Sequence, residues 1–549
     1  MSPSGVLLVA TLATPLAMVG LCLLPGFRRR VFGLLALAPL PGLATALIAP
    51  GGSLLLAPAP LRLVLALDGP GAQLLGGAAL LWTAAGLYAR TYLREEAGRA
   101  SFALWWLLTL TGSLGVFIVA DMTSFYLMFS LVSLSAYGLV MHENSARAER
   151  AGLFYIALAL LGEAFLLFGF VLLATAGAAG NPLIAEAVAA LDASPWRDAT
   201  LVLLILGFGL KMGLVPLHVW MPLAHPVAPM PASAALSGIV VKAGVIGLIR
   251  FLPFGTALAE GGGALMLLGL ATAYYAVAVG ITQHNPKTVL AYSTVSQMGL
   301  VATIAGAGLA VGDPGVADVV AFYALHHMLV KGALFLGVGV VSATGGARRG
   351  PVLAVMAILA LSLAGLPFTS GALAKYATKA PLGNGVAATL VTLSAAGSAL
   401  LMLHFLRRLA TTSTEREEAC ASSGLHAPWG LRAPWLAIAA GSLLVGWLLF
   451  TPATGYSPAS PLAPAALWSA TWPLLLGALL ALGLARFGDR LPEIPEGDVA
   501  VLVIRAMPVV HRMGEDLERL DAALRRWPVA GLALVALVLI LGATLGATP

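Results

Sequence analysis

The sequence is poor in charged residues and almost free of cysteine. Only 10% of its 549 residues are charged and 60% are hydrophobic, whereas a soluble chain carries about 25% charged residues. A soluble globular protein is therefore excluded. Apolar runs of about 20 residues, long enough to cross a hydrocarbon core about 30 Å thick, predict an all-α integral membrane protein. The two cysteines, Cys22 and Cys420, are far apart, which argues against an iron–sulfur, zinc or c-type haem motif.

Positive charge is also scarce in every second loop between the apolar runs. The positive-inside rule places the arginine-containing loops in the cytoplasm and the N-terminus outside, so we expect a multi-pass protein of the inner (cytoplasmic) membrane rather than a nucleic-acid-binding protein. The first span, from about Val6, has no basic residues ahead of it and is expected to be retained. The arginines that set this topology are Arg28, Arg29, Arg30, Arg90, Arg94, Arg99, Arg147, Arg150, Arg348, Arg349, Arg407 and Arg408.

The apolar runs and their Gly, Pro and charged interruptions predict about 14–16 transmembrane helices. Two of them are interrupted, at 211–216 and at 364–375, and such a pair in two halves of a chain points to an inverted-repeat transporter with its site at mid-membrane. Near the C-terminus, apolar residues recur at three- and four-residue steps over 496–526, which predicts an amphipathic helix along a surface, or else an ordinary loop helix. N-terminal spans at 1–100, C-terminal spans at 411–490 and a final span at 528–547 complete the organisation.

Lysine is rare, and its positions are selective. The chain has only six lysines, which lie within or at the ends of the central spans: Lys211, Lys242, Lys287, Lys331, Lys375 and Lys379. Burial can lower the pKa of a lysine by several units, whereas arginine stays protonated at any reachable pH. An ionisable group at mid-membrane costs at least about 2.5 kcal/mol, so the row indicates a proton path. The alternative is that each lysine reaches an interface or closes a structural ion pair.

Few acids or histidines accompany these lysines. Glu163, in LALLGEAFLLFGF, is the outstanding carboxylate within a span; it either adjusts the pKa of a lysine or holds two helices together. His327 lies one turn before Lys331 on the same helix face and suits a proton relay, although a lone histidine is more often a core residue. His218 and His225 follow the first helix break and are candidate access or exit residues.

Four motifs in order resemble the antiporter-like subunits of respiratory complex I, of Mrp-type Na⁺/H⁺ antiporters and of membrane-bound hydrogenase and formate hydrogenlyase complexes. They are KMGLVPLHVWMPLAHPVAPMPASAALSGIVVKAG from Lys211, KTVLAYSTVSQMG from Lys287, HHMLVKGALFLGVG from His326 and LSLAGLPFTSGALAK ending at Lys375. The resemblance implies two inverted five-helix repeats, at 101–252 and 262–410, that form half-channels joined by a mid-membrane row. It assigns to this row Lys211, Lys242, Lys287, Lys331, Lys375 and His327, with Glu163 as an acid that some members carry on the sixth helix.

The chain departs from the family pattern on the fifth helix, DMTSFYLMFSLVSLSAY. A Trp-Glu pair is expected there, and Phe129 and Ser130 occupy its places, with Tyr137 keeping the register. Because Ser130 cannot carry the negative charge that partners Lys211, either Glu163 substitutes for it or this half-channel works differently or not at all. Polar residues of some family members are likewise replaced, by Ser237, Asn285 and Tyr323.

The leading hypothesis is a subunit of a larger membrane complex that translocates protons, or Na⁺, along this row. We find no flavin, quinone, nucleotide or cluster motif, so we expect no cofactor, no bound metal and no redox chemistry in this chain; partner subunits would supply the energy. The main alternative is the membrane subunit of a CO₂/bicarbonate uptake complex with a zinc-containing cytoplasmic partner. A standalone Na⁺/H⁺ carrier and an inactive scaffold are further alternatives.

Overall fold

The computed structural model describes residues 2–501, except 59–60, 97, 178–180 and 420–425, together with Glu518. The predicted amphipathic helix at 496–526 lies almost entirely outside these residues, and the final span at 528–547 lies wholly outside them. The chain divides into a unit of Met1–Glu496 and a unit of Gly497–Pro549. The helices and strands with described bounds all lie in the first unit.

Helices form nearly all of this unit, as predicted. They are α1 Pro3–Leu23, α2 Arg28–Gly33, α3 Leu40–Ile48, α4 Gly69–Tyr92, α5 Arg99–Ile118, α6 Met122–Val140, α7 Ala146–Ala176, α8 Ile184–Ala190, α9 Arg197–Met212, α10 Trp220–Val227, α11 Met230–Ala235, α12 Lys242–Phe251, α13 Ala259–Gly280, α14 Pro286–Val311, α15 Val316–Ser342, α16 Arg349–Ala364, α17 Ser370–Ala377, α18 Lys379–Leu382, α19 Val386–Ala419, α20 Trp429–Thr454 and α21 Pro464–Phe487. A π-helical turn, Leu236–Val240, joins α11 to α12.

Twelve of the helices in the described part of the chain are long and apolar enough to cross a membrane. Two shorter apolar helical stretches, Leu35–Ile48 and Arg349–Ala364, accompany them. These candidate spans confirm the prediction of an all-α integral membrane protein; the predicted total of about 14–16 also includes the final span at 528–547, which lies outside the described residues.

One element is not helical and was missed by the sequence analysis. Strands β1, Ser53–Ala57, and β2, Leu63–Ala66, form an antiparallel hairpin with Ser53 opposite Ala66. The Val64 amide donates to Asp121 at 2.9 Å, and the Ala120 amide donates to the Val64 carbonyl at 2.9 Å. The hairpin therefore covers the turn between α5 and α6, where it satisfies backbone groups that the helix ends leave unpaired.

Both predicted helix breaks are present, and each begins at a glycine. Helix α9 is followed by Gly213 at φ +78°, and α16 by Gly365 at φ +102°. A left-handed glycine after the last helical residue is the common way to end a helix, since it has no Cβ to clash. At the first break the Trp220 indole donates to the Leu210 carbonyl at 3.0 Å. The breaks thus expose backbone carbonyls inside the bundle, where polar side chains can reach them.

The ends of the helices form two faces of different charge. On one face, arginines follow α1 and α4 and line a common surface recess with Glu95 and Glu96; we call this the arginine-rich face. On the opposite face, where the hairpin lies, Arg62 pairs with Glu186 at 2.6 Å, and Arg250 binds Asp68 at 3.1 Å. This separation of charge fits a protein whose middle lies in lipid.

The centre of the bundle is formed by α11–α12, α14 and α15. The apolar windows of Met230–Phe251 and Val316–Ser342 are completely buried, whereas that of α21 is only 17% buried. Helices α9 and α12 pack so closely that a Cβ added at Gly244 of α12 would lie 2.6 Å from the Phe208 carbonyl oxygen of α9. Side chains of α12 and α15 are therefore the most shielded from both lipid and water.

Candidate functional site

Lys211 lies in the last turn of α9, just before the first break, and is buried. Its ammonium group donates to the Ser133 hydroxyl at 3.0 Å and reaches the Tyr155 hydroxyl at 3.5 Å. The rings of Phe129 and Tyr155 each lie 5.8 Å from the nitrogen, within the range of a cation–π contact. Phe129, which stands in a position where the family pattern has Trp, thus keeps an aromatic face against the lysine.

Glu163 of α7 is buried and meets the serine that replaces the expected glutamate. The Ser130 hydroxyl donates to Glu163 Oε2 at 2.6 Å. Ser133 interacts with both Glu163 and Lys211, and the carboxylate and the ammonium are close enough to interact electrostatically. Among the described residues the two do not form a direct ion pair. The acid therefore lies beside the position of the missing carboxylate, with hydroxyl groups between it and Lys211.

Lys242 begins α12, directly after the π-helical turn, and is completely buried. Its ammonium group lies 2.5 Å from His327 Nδ1 of α15 and 3.3 Å from the Ser237 carbonyl oxygen within the π turn. A π turn shifts the hydrogen-bond register of a helix and is frequent at functional sites. The lysine and the predicted relay histidine are therefore in direct contact.

Lys331 of α15 lies one turn after His327, yet the two side chains bind different partners. The Lys331 ammonium group donates to the Leu290 carbonyl at 2.8 Å and to the Ser293 hydroxyl, both on α14. It is close enough to Lys242 to interact electrostatically. Lys242 and Lys331 are thus two neighbouring buried lysines, and neither has a carboxylate among its described hydrogen-bond partners.

His326 is a member of the row that the sequence analysis missed. Its Nδ1 lies 2.9 Å from the Ser370 hydroxyl, which begins α17 after the second break, and the ring also interacts with Lys242 and Lys375. The only sequence signal was the tandem pair HH, because His326 is not on the face that carries His327 and Lys331. It connects α15 to the second broken helix.

Lys375 lies on α17, the helix after the second break. Its ammonium group donates to the Ala364 carbonyl at 2.6 Å, the last residue of α16, as a cation at a helix C-terminus is expected to do. It also lines a cavity of about 490 Å³ together with Lys379, one turn further on. The terminal lysine of the row therefore has access to an open space on the side of the opposite face.

Lys287 is placed differently from the other predicted residues. It is the second residue of α14 and donates to the carbonyls of Pro226 at 3.0 Å and Ala228 at 2.6 Å, at the end of α10. It interacts electrostatically with Glu143 and Arg147 of the arginine-rich face. Lys287 is thus at the end of the row towards that face rather than at mid-membrane.

The two histidines after the first break are buried. His225 lies between the rings of Trp220, at 5.9 Å, and Phe335, at 5.5 Å, and neither of its nitrogens has a hydrogen-bond partner in the described part of the chain. It interacts electrostatically with Lys287, Lys242 and Lys331. His218 packs against the rings of Tyr275 and Tyr292. His225 thus lies among three predicted lysines, and His218 lies in an aromatic setting.

The residues that replace family polar positions make neutral hydrogen bonds. The Tyr323 hydroxyl donates to Gln297 at 2.6 Å, Ser237 lies 2.8 Å from Thr294, and Asn285 accepts from the Lys287 amide at 2.9 Å to cap α14. Within the described residues no group of three His, Cys, Asp or Glu side chains could hold a metal ion.

Most of the predicted residues therefore fall into two groups, which also include Ser133, Tyr155 and His326. The first is Lys211 with Glu163, Ser130, Ser133 and Tyr155. The second runs from Lys287 through His225, Lys331, Lys242, His327 and His326 to Lys375. In the described part of the chain no hydrogen bond joins a side chain of the first group to one of the second.

Comparison with known proteins identifies the family. The model of the membrane region of NADH:quinone oxidoreductase and Mrp antiporter subunits matches residues 119–403. Hydrogenase-4 component B of Escherichia coli is 33% identical over 276 residues, which cover 48% of this chain and 41% of that protein. NADH-quinone oxidoreductase subunit N of Desulforudis audaxviator is 31% identical over 340 residues, 58% of this chain and 66% of that protein. The match thus spans roughly half of each relative.

Solved structures share the fold. A chain of the Mrp complex from Dietzia superposes with a TM-score of 0.67 at 22% identity, over 85% of this chain and 99% of that chain. At this identity the likeness shows the fold alone. Together with the family match, which covers more than half of the sequence, it shows that this chain belongs to the family of NADH:quinone oxidoreductase and Mrp antiporter membrane subunits.

Proposed function

We propose that this chain is a subunit of a multi-subunit membrane complex and moves protons along its buried lysines and histidines. The observation that carries the proposal is the contact between Lys242 and His327, 2.5 Å apart and completely buried. Neither group has a carboxylate among its described hydrogen-bond partners. A charge in this place costs several kcal/mol, so the pair is most stable when neutral and carries a charge only while a proton passes through it towards an aqueous face.

The second group gives this transfer a route between the two faces. Lys287 and His225 lie towards the arginine-rich face, Lys331, Lys242 and His327 are central, and His326 leads to Lys375 and its cavity on the other side. The free nitrogens of His225, His326 and His327 are buried without a protein partner in the described residues, and such atoms are the usual places for ordered water. Water bridging these nitrogens would complete a path across the bundle.

Glu163 serves the first group in this proposal. With Ser130 and Ser133 it puts a negative charge near Lys211 from α7 instead of α6. The first group lies within the proposed repeat 101–252. The second group combines His225 and Lys242 of that repeat with residues of the proposed repeat 262–410, and each proposed repeat has one broken helix. Protonation of one lysine then raises the electrostatic energy of its neighbours, so that charge in one half can influence the other.

Orientation and coupling are part of the same proposal. The arginine-rich face lies in the cytoplasm and the N-terminus outside, in the inner membrane. Partner subunits supply the driving reaction, as the names of the relatives, a hydrogenase component and an oxidoreductase subunit, suggest. None of the relatives named above is an inorganic-carbon uptake protein, so that alternative gains no support from them. The proton is favoured over Na⁺ because the row consists of lysine and histidine side chains, which can carry a proton, whereas a protonated lysine repels Na⁺.

The test is proton translocation by the purified native complex in proteoliposomes, with Lys331→Ala and Lys375→Ala introduced separately. We expect each variant to lose at least about ten-fold in initial rate, because removal of one titratable group interrupts a serial path. Replacing Na⁺ by K⁺ should leave the wild-type rate unchanged. Unchanged proton movement in both variants, with the complex still assembled, would contradict the proposal.

A further inference from the structure

One lysine remains outside the proposed path. Lys379 lies one turn after Lys375, on α18, and is exposed; its ammonium group donates to the Ser469 hydroxyl at 3.0 Å and lies 5.2 Å from the ring of Tyr376. Both lysines line the cavity of about 490 Å³. The cavity is formed by α17, α18 and the first turns of α19 and α21, at the opposite face.

The cavity has two cations and no anion. Its described lining contains no Asp or Glu. The sequence explains this: no acidic residue occurs between Asp318 and Glu415, or between Glu418 and Asp489. Glu415 is 29 residues beyond the start of α19, which at 1.5 Å per residue places it roughly 40 Å away along the helix. Among the described residues that line the cavity, therefore, no carboxylate neutralises these lysines.

The rest of the cavity lining is partly polar and partly apolar, as an amphiphilic ligand requires. Hydroxyl and amide groups of Thr378, Thr392, Ser469 and Asn384 lie among apolar side chains such as Leu393 and Trp472. Next to the cavity, α19 and α21 expose apolar side chains outwards, for example Val386 at 77% and Leu475 at 59% exposure. A polar cationic pocket at the end of an exposed apolar helix pair matches a phosphate headgroup whose acyl chains lie along the helices.

We propose that this cavity binds the phosphate of an anionic membrane phospholipid between Lys375 and Lys379. A lipid fits better than a free anion because the apolar lining and the exposed surface of α21 would accommodate acyl chains. It is preferred to a carboxylate from a neighbouring subunit because the cavity, at about 490 Å³, has room for a headgroup and offers the Ser469 hydroxyl and the Asn384 amide as donors to phosphate oxygens. The inference concerns lipid binding at the cavity that Lys375 shares with the proposed proton path, and its test measures binding rather than transport.

The test uses the purified full-length chain in detergent. Native mass spectrometry would compare dioleoylphosphatidylglycerol with dioleoylphosphatidylcholine, which has the same acyl chains but no net charge. We expect the anionic lipid to bind more tightly, and Lys379→Gln to weaken its binding about five-fold, the effect of removing about 1 kcal/mol of attraction. Lys379→Arg should restore binding. Arg62→Gln, which removes one positive charge from the same face away from the cavity, should leave binding unchanged.

Other outcomes would overturn the proposal. Equal binding of the two lipids, or an equal loss in Arg62→Gln and Lys379→Gln, would show general surface attraction. Displacement of the anionic lipid by excess inorganic phosphate would identify a free-anion site. In the native complex, carbodiimide cross-linking of Lys379 to another subunit, with no bound lipid, would show that a protein carboxylate fills the cavity. A melting temperature for each variant checks that it is folded.

Discussion

The two lysine groups differ in whether a carboxylate lies close to the lysine ammonium groups. In the first, Lys211 has Glu163 nearby, two serine hydroxyls and two aromatic faces. In the second, Lys242, Lys331 and Lys375 bind only carbonyls, a hydroxyl and a histidine among the described residues. In the first group a protonated lysine lies near a carboxylate, whereas Lys242, Lys331 and Lys375 carry a proton without a carboxylate among their described hydrogen-bond partners. One family fold can therefore accommodate a lysine in its interior in two ways.

The largest effect is expected from the second group. Lys242→Met removes the ammonium group that contacts His327, so proton translocation should fall at least about ten-fold. Because Met has a similar volume and no charge, the free energy of unfolding should not fall, as is often found when buried charges are replaced by apolar residues. Met328→Leu, a buried apolar exchange on α15, is the matched control for transport. If transport falls only together with the melting temperature, the loss reflects unfolding, and Lys242 is not part of the proton path.

A smaller effect is expected from the acid of the first group. Glu163→Gln keeps the shape and the hydrogen bond of the side chain but removes its charge, so we expect proton translocation to fall several-fold. Glu163→Asp should lose less, because the charge remains. The measurement is the initial rate of proton movement in the native complex. Equal rates for wild type and Glu163→Gln would show that Glu163 only joins α6 to α7.

A still smaller effect on proton translocation is expected from Ser130, which donates a hydrogen bond to Glu163. Ser130→Ala removes the 2.6 Å hydrogen bond to Glu163 but leaves both charges in place. A hydrogen bond to a charged group contributes about 1.5–3 kcal/mol, and part of this is recovered by Ser133, so a change in rate of a few-fold at most is expected. Ser133→Ala, which removes the direct partner of Lys211, should have the larger effect of the two. The reverse order would mean that Ser133 is not the link between the charges.

The smallest effect is expected outside both groups. Arg62 donates two hydrogen bonds to Glu186, and this holds the pKa of that carboxyl below its usual range. The pair therefore stabilises the fold above the usual carboxyl pKa of about 4.3, and its contribution is lost as the pH falls through the lowered value. Arg62→Gln should leave transport unchanged and lower the melting temperature slightly near neutral pH. Wild type and variant should converge in acid; a difference that grows in acid would contradict this sign.

The sequence predicted the spans and both breaks because burial in lipid demands long apolar runs, and a break needs glycine or proline. It also predicted four lysines that are buried, Lys211, Lys242, Lys287 and Lys331, since a lysine in such a run is conspicuous. It could not predict the hairpin, whose residues are as apolar as a helix, nor which groups touch. His327 binds Lys242 from another helix rather than Lys331 of its own, and Lys287 lies at a helix end; both depend on tertiary packing.

The uncharged hydrogen-bond partners of the lysines were the hardest residues to predict from the sequence. Ser133 and Tyr155 are ordinary residues of membrane helices, and only the fold brings them to Lys211. His326 was passed over because its neighbour had the recognisable spacing. The substitution at Ser130, in contrast, was visible from the pattern, and the structure places Glu163 against it.

The most direct measurement is proton translocation by the native complex that carries Glu163→Gln together with Ser130→Glu. This double variant returns the negative charge from α7 to α6 while the rest of the first group is unchanged. If the charge near Lys211 is what matters, the rate should recover from the several-fold loss of Glu163→Gln to within about two-fold of wild type, since the two sites adjoin and their effects should couple. If Glu163→Gln alone has no effect, or if Ser130→Glu alone raises the rate, Glu163 does not replace the missing carboxylate.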